Sequence, residues 1–423
     1  MSAFRYRGGA LHAEAVPLAE IAAAVGTPCY VYSASAMRER AAAFREAFAP
    51  ERALLCYAVK ANSNLAVIRL FASEGLGADT VSGGEIARAL EAGVPPNRIV
   101  YAGIAKTDDE IRMALATGIY QFNVESAQEL KRIAEIASGM GLAAPVALRV
   151  NPDVDAGTHE KISTGRKHDK FGIPYEEAPA LYRLAASLKG VNPVGVHVHI
   201  GSQISRLDPF EAAYRRAVEL FTRLRAEGIP LRRLDLGGGF GVRYLDEPRI
   251  EAEAIAALVR RVTAGLDCDL LFEPGRALVA EAGVIVASVI YLKVSGGRRF
   301  LVLDSGMHVL LRPAMYDAHH PVTPVREPAP DVPIVAMDVV GPICESSDIL
   351  GRDRMLPELV AGDLVAIAGA GAYGAVMASG YNSRPSAAEV MVEGDRFAVI
   401  RASLSAERQF AEERIPDWLG REG

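Results

Sequence analysis

From Leu54 to Phe272 the sequence alternates short apolar strand candidates with helical patterns, and this restricts the fold more than any other feature. Eight strand candidates occur, with a helix between each neighbouring pair. Regular βα alternation implies a parallel sheet, because each crossover must carry the chain back to the same end. Eight units imply closure into a (β/α)8 barrel of the TIM type rather than an open doubly wound sheet. The weakest strand pattern is the fourth, Ile119–Val124, and a long polar connection, Asp153–Asp169, follows the fifth strand.

After Arg276 the period changes to two. Val284–Val294, Arg299–Asp304, Ile334–Val340, Asp363–Ala368, Ala388–Val392 and Arg396–Ile400 alternate between Gly, Pro and Asp punctuation. That pattern predicts an all-β module of sandwich or barrel-like form, with a hairpin turn at Glu393-Gly394-Asp395. The expected division is a barrel over 27–277 and a β-domain built from 1–26 and 278–423. Periodicity alone leaves the N-terminal arm open between the two.

The remaining composition excludes several classes. A net charge of -6 gives no electrostatic attraction to nucleic acid or to an anionic membrane. No run approaches the ~20 apolar residues that span a bilayer, and the first residues lack the apolar core of a signal peptide. Four widely spaced cysteines, Cys29, Cys56, Cys268 and Cys344, form no CxxC pair, which fits a reducing cytoplasm.

Within the barrel pattern, Leu54–Val59 delivers a lysine, Lys60, to a strand end, and Asn62, Ser63 or Asn64 can cap the following helix. In apolar surroundings the amine pKa falls and a neutral nucleophile for carbonyls results; the bland alternative is a lysine that snorkels to water.

In barrels of this kind working residues stand where strands end and βα loops begin. Those positions hold Lys60, Asp79, Arg149, His197 and His199 with Ser202, Gly237-Gly238-Gly239, and Glu273-Pro274-Gly275-Arg276. Glycines after the seventh strand let backbone N–H groups approach an anion closely, and Arg276 adds a charged fork. Glu273 ends an apolar strand and needs a partner, either a pyridinium N–H or an internal arginine, Arg276 or Arg149. His197 and His199 alternate, so both imidazoles face one side. Metal ligation by the pair is disfavoured because no third ligand accompanies it locally, and a histidine stacked on a cofactor ring fits better. The triplet does not match the dinucleotide fingerprint. Together the rim suits an aromatic phosphorylated cofactor.

The β-module carries Arg312-Pro313-Ala314-Met315-Tyr316, Cys344-Glu345-Ser346 and Gly371-Ala372-Tyr373-Gly374. An arginine and a glutamate suit a substrate with carboxylate and ammonium ends, and Cys344 is either a proton donor or an inert small hydrophobe.

These motifs, with Tyr57-Ala58-Val59-Lys60-Ala61-Asn62 and His197-Val198-His199-Ile200-Gly201-Ser202-Gln203, resemble the diaminopimelate decarboxylase family in order from Thr27 to Trp418. The resemblance implies a pyridoxal 5'-phosphate enzyme, a carbon–carbon lyase that converts meso-2,6-diaminopimelate to L-lysine and CO2, the last step of lysine biosynthesis. Lys60 would hold the cofactor covalently, His199 would stack on its ring and Glu273 would meet its nitrogen. Gly239, Gly275, Arg276 and Ser202 would hold the phosphate, with Tyr373 nearby, and Asp79, Arg149, Gly237 and Gly238 would also belong to the cofactor site. Arg276, Arg312, Tyr316, Glu345 and Tyr373 would contact substrate, and Cys344 would donate the proton. It further implies a cytoplasmic homodimer with shared active sites. The alternative on the same scaffold is a decarboxylase of ornithine, lysine or arginine, against which Arg312 argues. Spacing and resemblance assign no role to the His319-His320 pair.

Overall fold

The computed structural model describes residues 3–155 and 171–420. Beyond Asp155, the expected Asp153–Asp169 connection lies outside the described residues. The chain divides into two compact units, one of 1–3, 34–282 and 371–376, the other of 4–33, 283–370 and 377–423.

The first unit is the eight-stranded parallel barrel. Its strands are β1 (Ala53–Ala58), β2 (Gly77–Thr80), β3 (Ile99–Tyr101), β4 (Gln121–Val124), β5 (Ala144–Asn151), β6 (Val191–His197), β7 (Arg233–Asp235) and β8 (Asp269–Phe272). Each pairs in parallel with its sequence neighbour, β8 pairs with β1, and β4 pairs with β5, so no edge remains. Short buried runs rich in Val, Leu, Ile and Ala form these strands because both faces are covered.

The crossover helices are α1 (Leu65–Ser73), α2 (Gly83–Glu91), α3 (Asp108–Thr117), α4 (Ala127–Gly139), α5 (Ala178–Ser187), α6 (Asp208–Ala226) and α7 (Ala252–Val262). Four begin on side-chain caps: Asn64 accepts from the Ala66 N–H, Ser82 from Glu85, Thr107 from Glu110 and Ser126 from Glu129. Each such cap contributes about 1 kcal/mol and fixes where the chain turns from loop to helix. Buried positions in α6, Phe210, Ala213, Tyr214, Ala217, Leu220, Phe221 and Leu224, recur at three and four, the helix's inward stripe.

Two of the strand ends that fall earlier than the sequence pattern suggests bear on the site. β1 stops at Ala58, and Lys60 sits in a single 3-10 turn, Val59–Ala61. β6 stops at His197, leaving His199 in the loop beyond. Beyond β6 the Val198 N–H still donates to Asp235 O at 2.9 Å, and the Gly238 N–H donates to His199 Nδ1 at 3.3 Å.

The second unit is β-rich. Its main sheet runs Ile349–Pro357, Ile334–Val340, Arg298–Leu303, Gly283–Ser295, Cys29–Ser33, Ala388–Glu393 and Arg396–Arg401, with Leu364–Ala368 also paired to Gly283–Ser295. Cys29–Ser33, which the sequence expectation placed inside 27–277, is an interior strand of this sheet: it pairs antiparallel with Gly283–Val286 and parallel with Ala388–Val392. Five consecutive buried residues explain why it needs neighbours on both sides. Val31, Val284, Val286, Val390 and Val392 pack with Leu18 and Ile21 of the helix Leu18–Val25. Each such side chain contributes roughly 1.5–3 kcal/mol by leaving water. The two-residue turn Gly394-Asp395 closes the last hairpin, with Gly394 at φ 63°.

Candidate active site

The ends of the barrel strands enclose a cavity of about 360 Å³ lined by Lys60, Val81, Arg149, Phe171, His197, His199 and Glu273, with the Ala102–Ile104 segment. Lys60 Nζ donates to Asp79 Oδ2 at 2.6 Å, and Asp79 is wholly buried. This reverses the expected direction of the Lys60 pKa. Burial opposes the ammonium, but the charges of Asp79 and Glu273 outweigh it and hold Lys60 above the ordinary lysine range. Asp79 itself is pushed up to about 7 by burial and by Glu273.

Glu273, at the end of β8, takes two partners from other strands. Its Oε2 lies 3.5 Å from His197 Nε2, and Asn123 Nδ2 donates to its Oε1 at 3.1 Å. Neither Arg276 nor Arg149 is its partner in these bonds. Despite complete burial, His197 holds the Glu273 carboxyl well below the usual range, so it stays anionic. His197 is correspondingly raised against its own burial by Asp235 and Glu273.

Beneath Glu273 lies a layer that sequence reasoning missed. Asn123 also donates to Asp235 Oδ2 at 3.2 Å, and Gln121 Nε2 donates to the same oxygen at 3.1 Å. Gly237 N–H donates to Asp235 Oδ1 at 3.1 Å. β4 is adjacent to neither β7 nor β8, so these bonds cross the barrel interior. Burial and Glu273 push Asp235 up to about 7. The available signal was the alternation Gln121-Phe122-Asn123-Val124, two polar residues on one face of a strand flanked by apolar neighbours. His197, Asp235 and Glu273 bring their donor atoms within 4.8 Å of one another. The carboxylates that could accompany a histidine therefore come from other strands.

His199 is driven well below the ordinary histidine value by burial and by Arg149 and Lys60, so its ring is neutral. The Gly238 N–H donates to its Nδ1, which assigns the hydrogen to Nε2. Arg149 is held by Glu125 at 2.9 Å and lies 4.9 Å from the centre of the Phe171 ring. Glu125 was not singled out from sequence.

The glycine triplet forms a tight wall. A Cβ at Gly237 would stand 2.4 Å from Val198 O, one at Gly238 2.1 Å from Glu273 O, and one at Gly239 2.2 Å from Gly201 O. Gly275 would place one 2.9 Å from Ala58 Cβ. Arg276 donates to Ser202 Oγ and Tyr244 Oη, each at 3.0 Å, and its guanidinium lies 4.6 Å from the centre of the Tyr373 ring. Tyr373 is anchored in the first unit by its N–H, which donates to Ala61 O at 2.7 Å.

The second unit holds the remaining candidates. Arg312 is 5% exposed and opens a short helix, Arg312–Tyr316. Cys344 is the exposed one of four free cysteines. Its N–H donates to Asn382 Oδ1 at 3.1 Å, and Tyr381 Oη donates to Glu345 Oε1 at 2.5 Å. Asp348 closes the same loop by accepting from the N–H groups of Ile343 and Met307. Tyr381 and Asn382 carried no signal from spacing.

A buried carboxylate under a cavity, a lysine beside it, a neutral histidine and a glycine wall flanked by arginine and serine form one donor set. It fits a pyridine ring bearing an aldehyde and a phosphate. The pyridoxal-binding domain of pyridoxal-dependent decarboxylases matches residues 34–280. The diaminopimelate decarboxylase of Zymomonas mobilis is 49% identical over 99% of this chain and 100% of its own length. The solved diaminopimelate decarboxylase of Helicobacter pylori, complexed with L-lysine, is 42% identical with a TM-score of 0.90, covering 94% of this chain and 99% of that one. The M. jannaschii diaminopimelate decarboxylase in complex with L-lysine is 35% identical with a TM-score of 0.94, over 99% and 100% of the two chains. Matched along nearly its whole length by these enzymes, the chain belongs to the diaminopimelate decarboxylase family of pyridoxal-dependent decarboxylases.

Proposed function

We propose that this enzyme removes the carboxylate at the D-configured end of meso-2,6-diaminopimelate and releases L-lysine and CO2. The observation that carries the reading is the near-complete match to relatives named for that activity. The barrel rim agrees with it chemically. Bound pyridoxal phosphate supplies an electron-withdrawing ring that takes up the electron pair left when the carboxylate departs.

Lys60 is the amine that would hold the cofactor's aldehyde, and Asp79 orients that amine. Glu273, kept anionic by His197, would face the ring nitrogen and keep its proton in place. His199 would lie against the ring, and its neutral state avoids a competing charge there. The backbone N–H groups of Gly237, Gly238, Gly239 and Gly275, with Ser202, Arg276 and Tyr373, would enclose the phosphate. Arg149, tied to Glu125, would line the same cavity.

Arg312 and Tyr316 would bind the distal carboxylate and Glu345 the distal ammonium, with Arg276 and Tyr373 also against substrate. Cys344 Sγ would give its proton to the carbon that lost CO2 and regain one from solvent. We infer that the enzyme works as a homodimer with shared active sites. A cytoplasmic setting is consistent with four cysteines that are all free. Among the described residues no helix is long and apolar enough to cross a membrane.

The deciding assay gives the purified enzyme meso-diaminopimelate beside L-lysine, L-ornithine and L-arginine, and measures CO2 and the amine product. CO2 and L-lysine from diaminopimelate are expected. Preferential turnover of any of the three monocarboxylic acids would sink the reading.

A further inference from the structure

The adjacent histidines His319 and His320 each hold an arginine in the second unit. His319 pairs with Arg354, at 2.8 Å through Nε2. His320 pairs with Arg312, its Nε2 lying 2.8 Å from Arg312 Nη1, while its Nδ1 lies 2.8 Å from Ala368 O. His320 is wholly buried.

A backbone carbonyl only accepts, so His320 Nδ1 carries the hydrogen. Guanidinium only donates, so Nε2 must present its lone pair. Both bonds are satisfied together by one neutral tautomer, and neither ring orientation nor proton position is left free. Backbone on both sides fixes the ring. Asp317, at φ 51°, reverses the chain after the helix Arg312–Tyr316, and Ala368 N–H donates to Pro321 O at 2.8 Å. The anchoring carbonyl therefore belongs to a residue whose own N–H is tied to the neighbour of His320. A long, buried arginine side chain has many rotamers, and a fixed acceptor at its tip selects one of them.

We propose that His320 is a positioning residue for Arg312, linking the hydrogen-bonded Ala368 backbone to the guanidinium that grips the distal carboxylate of the substrate. The proposal rests on the functional reading above, in which Arg312 meets that carboxylate.

The test uses two substitutions that separate the two ends of the imidazole. In His320→Asn the side-chain amide nitrogen stands where Nδ1 was, so the Ala368 bond is kept and the acceptor for Arg312 is lost. In His320→Gln the amide oxygen stands where Nε2 was and the acceptor is kept. A hydrogen bond to a charged group is typically worth a factor of about ten or more. The full-length holoenzyme carrying His320→Asn should raise KM for meso-diaminopimelate about tenfold, with kcat within about threefold. Inhibition by L-lysine, which retains the distal carboxylate, should weaken by a similar factor. Inhibition by 1,5-diaminopentane, which has no carboxylate, should stay as in wild type. His320→Gln should recover most of the KM, and His319→Gln should leave it unchanged.

An unchanged KM in folded His320→Asn enzyme overturns the proposal, as does equal weakening of the diamine. So does a His320→Gln enzyme that is folded and as impaired as His320→Asn. A wild-type enzyme inactive on diaminopimelate would instead overturn the functional reading on which the proposal rests.

Discussion

Lys60 and Asp79 form a 2.6 Å ion pair at the barrel rim, with the carboxylate wholly buried and the ammonium end partly open to the cavity. Asp79 and Glu273 together hold that ammonium above the ordinary lysine range. Asp79→Asn should move the midpoint of pyridoxal phosphate capture to lower pH, because Lys60 loses the charge that raises it. The sign follows from linkage. A raised lysine stabilises the fold fully below its ordinary pKa and loses that contribution as pH climbs through the raised value. Capture rate against pH, followed by cofactor absorbance, checks the shift. An unmoved midpoint would show that Asp79 does not control the amine.

The buried carboxylates predict a second pH effect. Burial and Glu273 raise Asp79 and Asp235 to about 7. Folding therefore favours their protonated forms, and the stability they contribute is complete below about pH 4 and lost as pH rises toward 7. Glu273 is depressed, so its contribution is present above the ordinary glutamate value and lost only as pH falls through the lowered one. Cofactor-free protein should be most heat-resistant in weakly acidic buffer and melt earlier at pH 8. Glu273→Gln removes the charge that helps raise both aspartates, so the melting curve should flatten between pH 5 and 8. Calorimetry across that range decides it.

Gly239 has φ 95°, and a Cβ there would meet Gly201 O at 2.2 Å, backbone against backbone. The two nearest atoms, Gly201 O and C, are both backbone and have no flexible tip to yield. Gly239→Ala should destabilise the protein by about 2 kcal/mol or more and weaken pyridoxal phosphate binding. Chemical denaturation and a fluorescence titration of the cofactor measure the two effects separately.

Asn382 and Tyr381 clasp both members of the Cys344-Glu345 pair from one turn, and Asn382 itself sits at φ 55°. Asn382→Ala should free the Cys344 N–H and loosen the loop. Alkylation of Cys344 by iodoacetamide should then accelerate several-fold, and turnover should fall with the cofactor still bound. The other three cysteines are buried, so mass spectrometry reads Cys344 cleanly. Unchanged alkylation in folded protein would rule the clasp out.

Much of this site was legible because its residues come in runs. Lys60, His199, the Gly237–Gly239 triplet and Glu273 each close a strand pattern, and strand ends in a barrel point to one rim. What stayed hidden depends on contacts between different strands, which spacing along any one of them does not show. Asn123 makes sense only opposite Asp235 and Glu273, more than a hundred residues on, and Glu125 only beside Arg149. The direction of the Lys60 pKa failed for the same reason. Apolar neighbours along β1 argued for a lowered value, while the carboxylates that decide it sit on β2 and β8. The interior place of Cys29–Ser33 was hidden too, since its two partner strands lie more than 250 residues downstream.

Residues 371–376 belong to the barrel unit although the preceding 88 residues, 283–370, belong to the other. The hydrogen bond from Tyr373 N–H to Ala61 O thus spans over 300 positions of chain. On a ribosome the eight strands are synthesised in sequence, and the barrel wall can close early, but the wall of Arg276 and Tyr373 waits for a peptide made much later. Non-local closures of this kind slow folding. A gene fragment ending at 282 would encode every barrel strand and still lack the segment that sets Tyr373 against Arg276, so neither unit is a cassette that evolution or an engineer could excise by cutting the chain once.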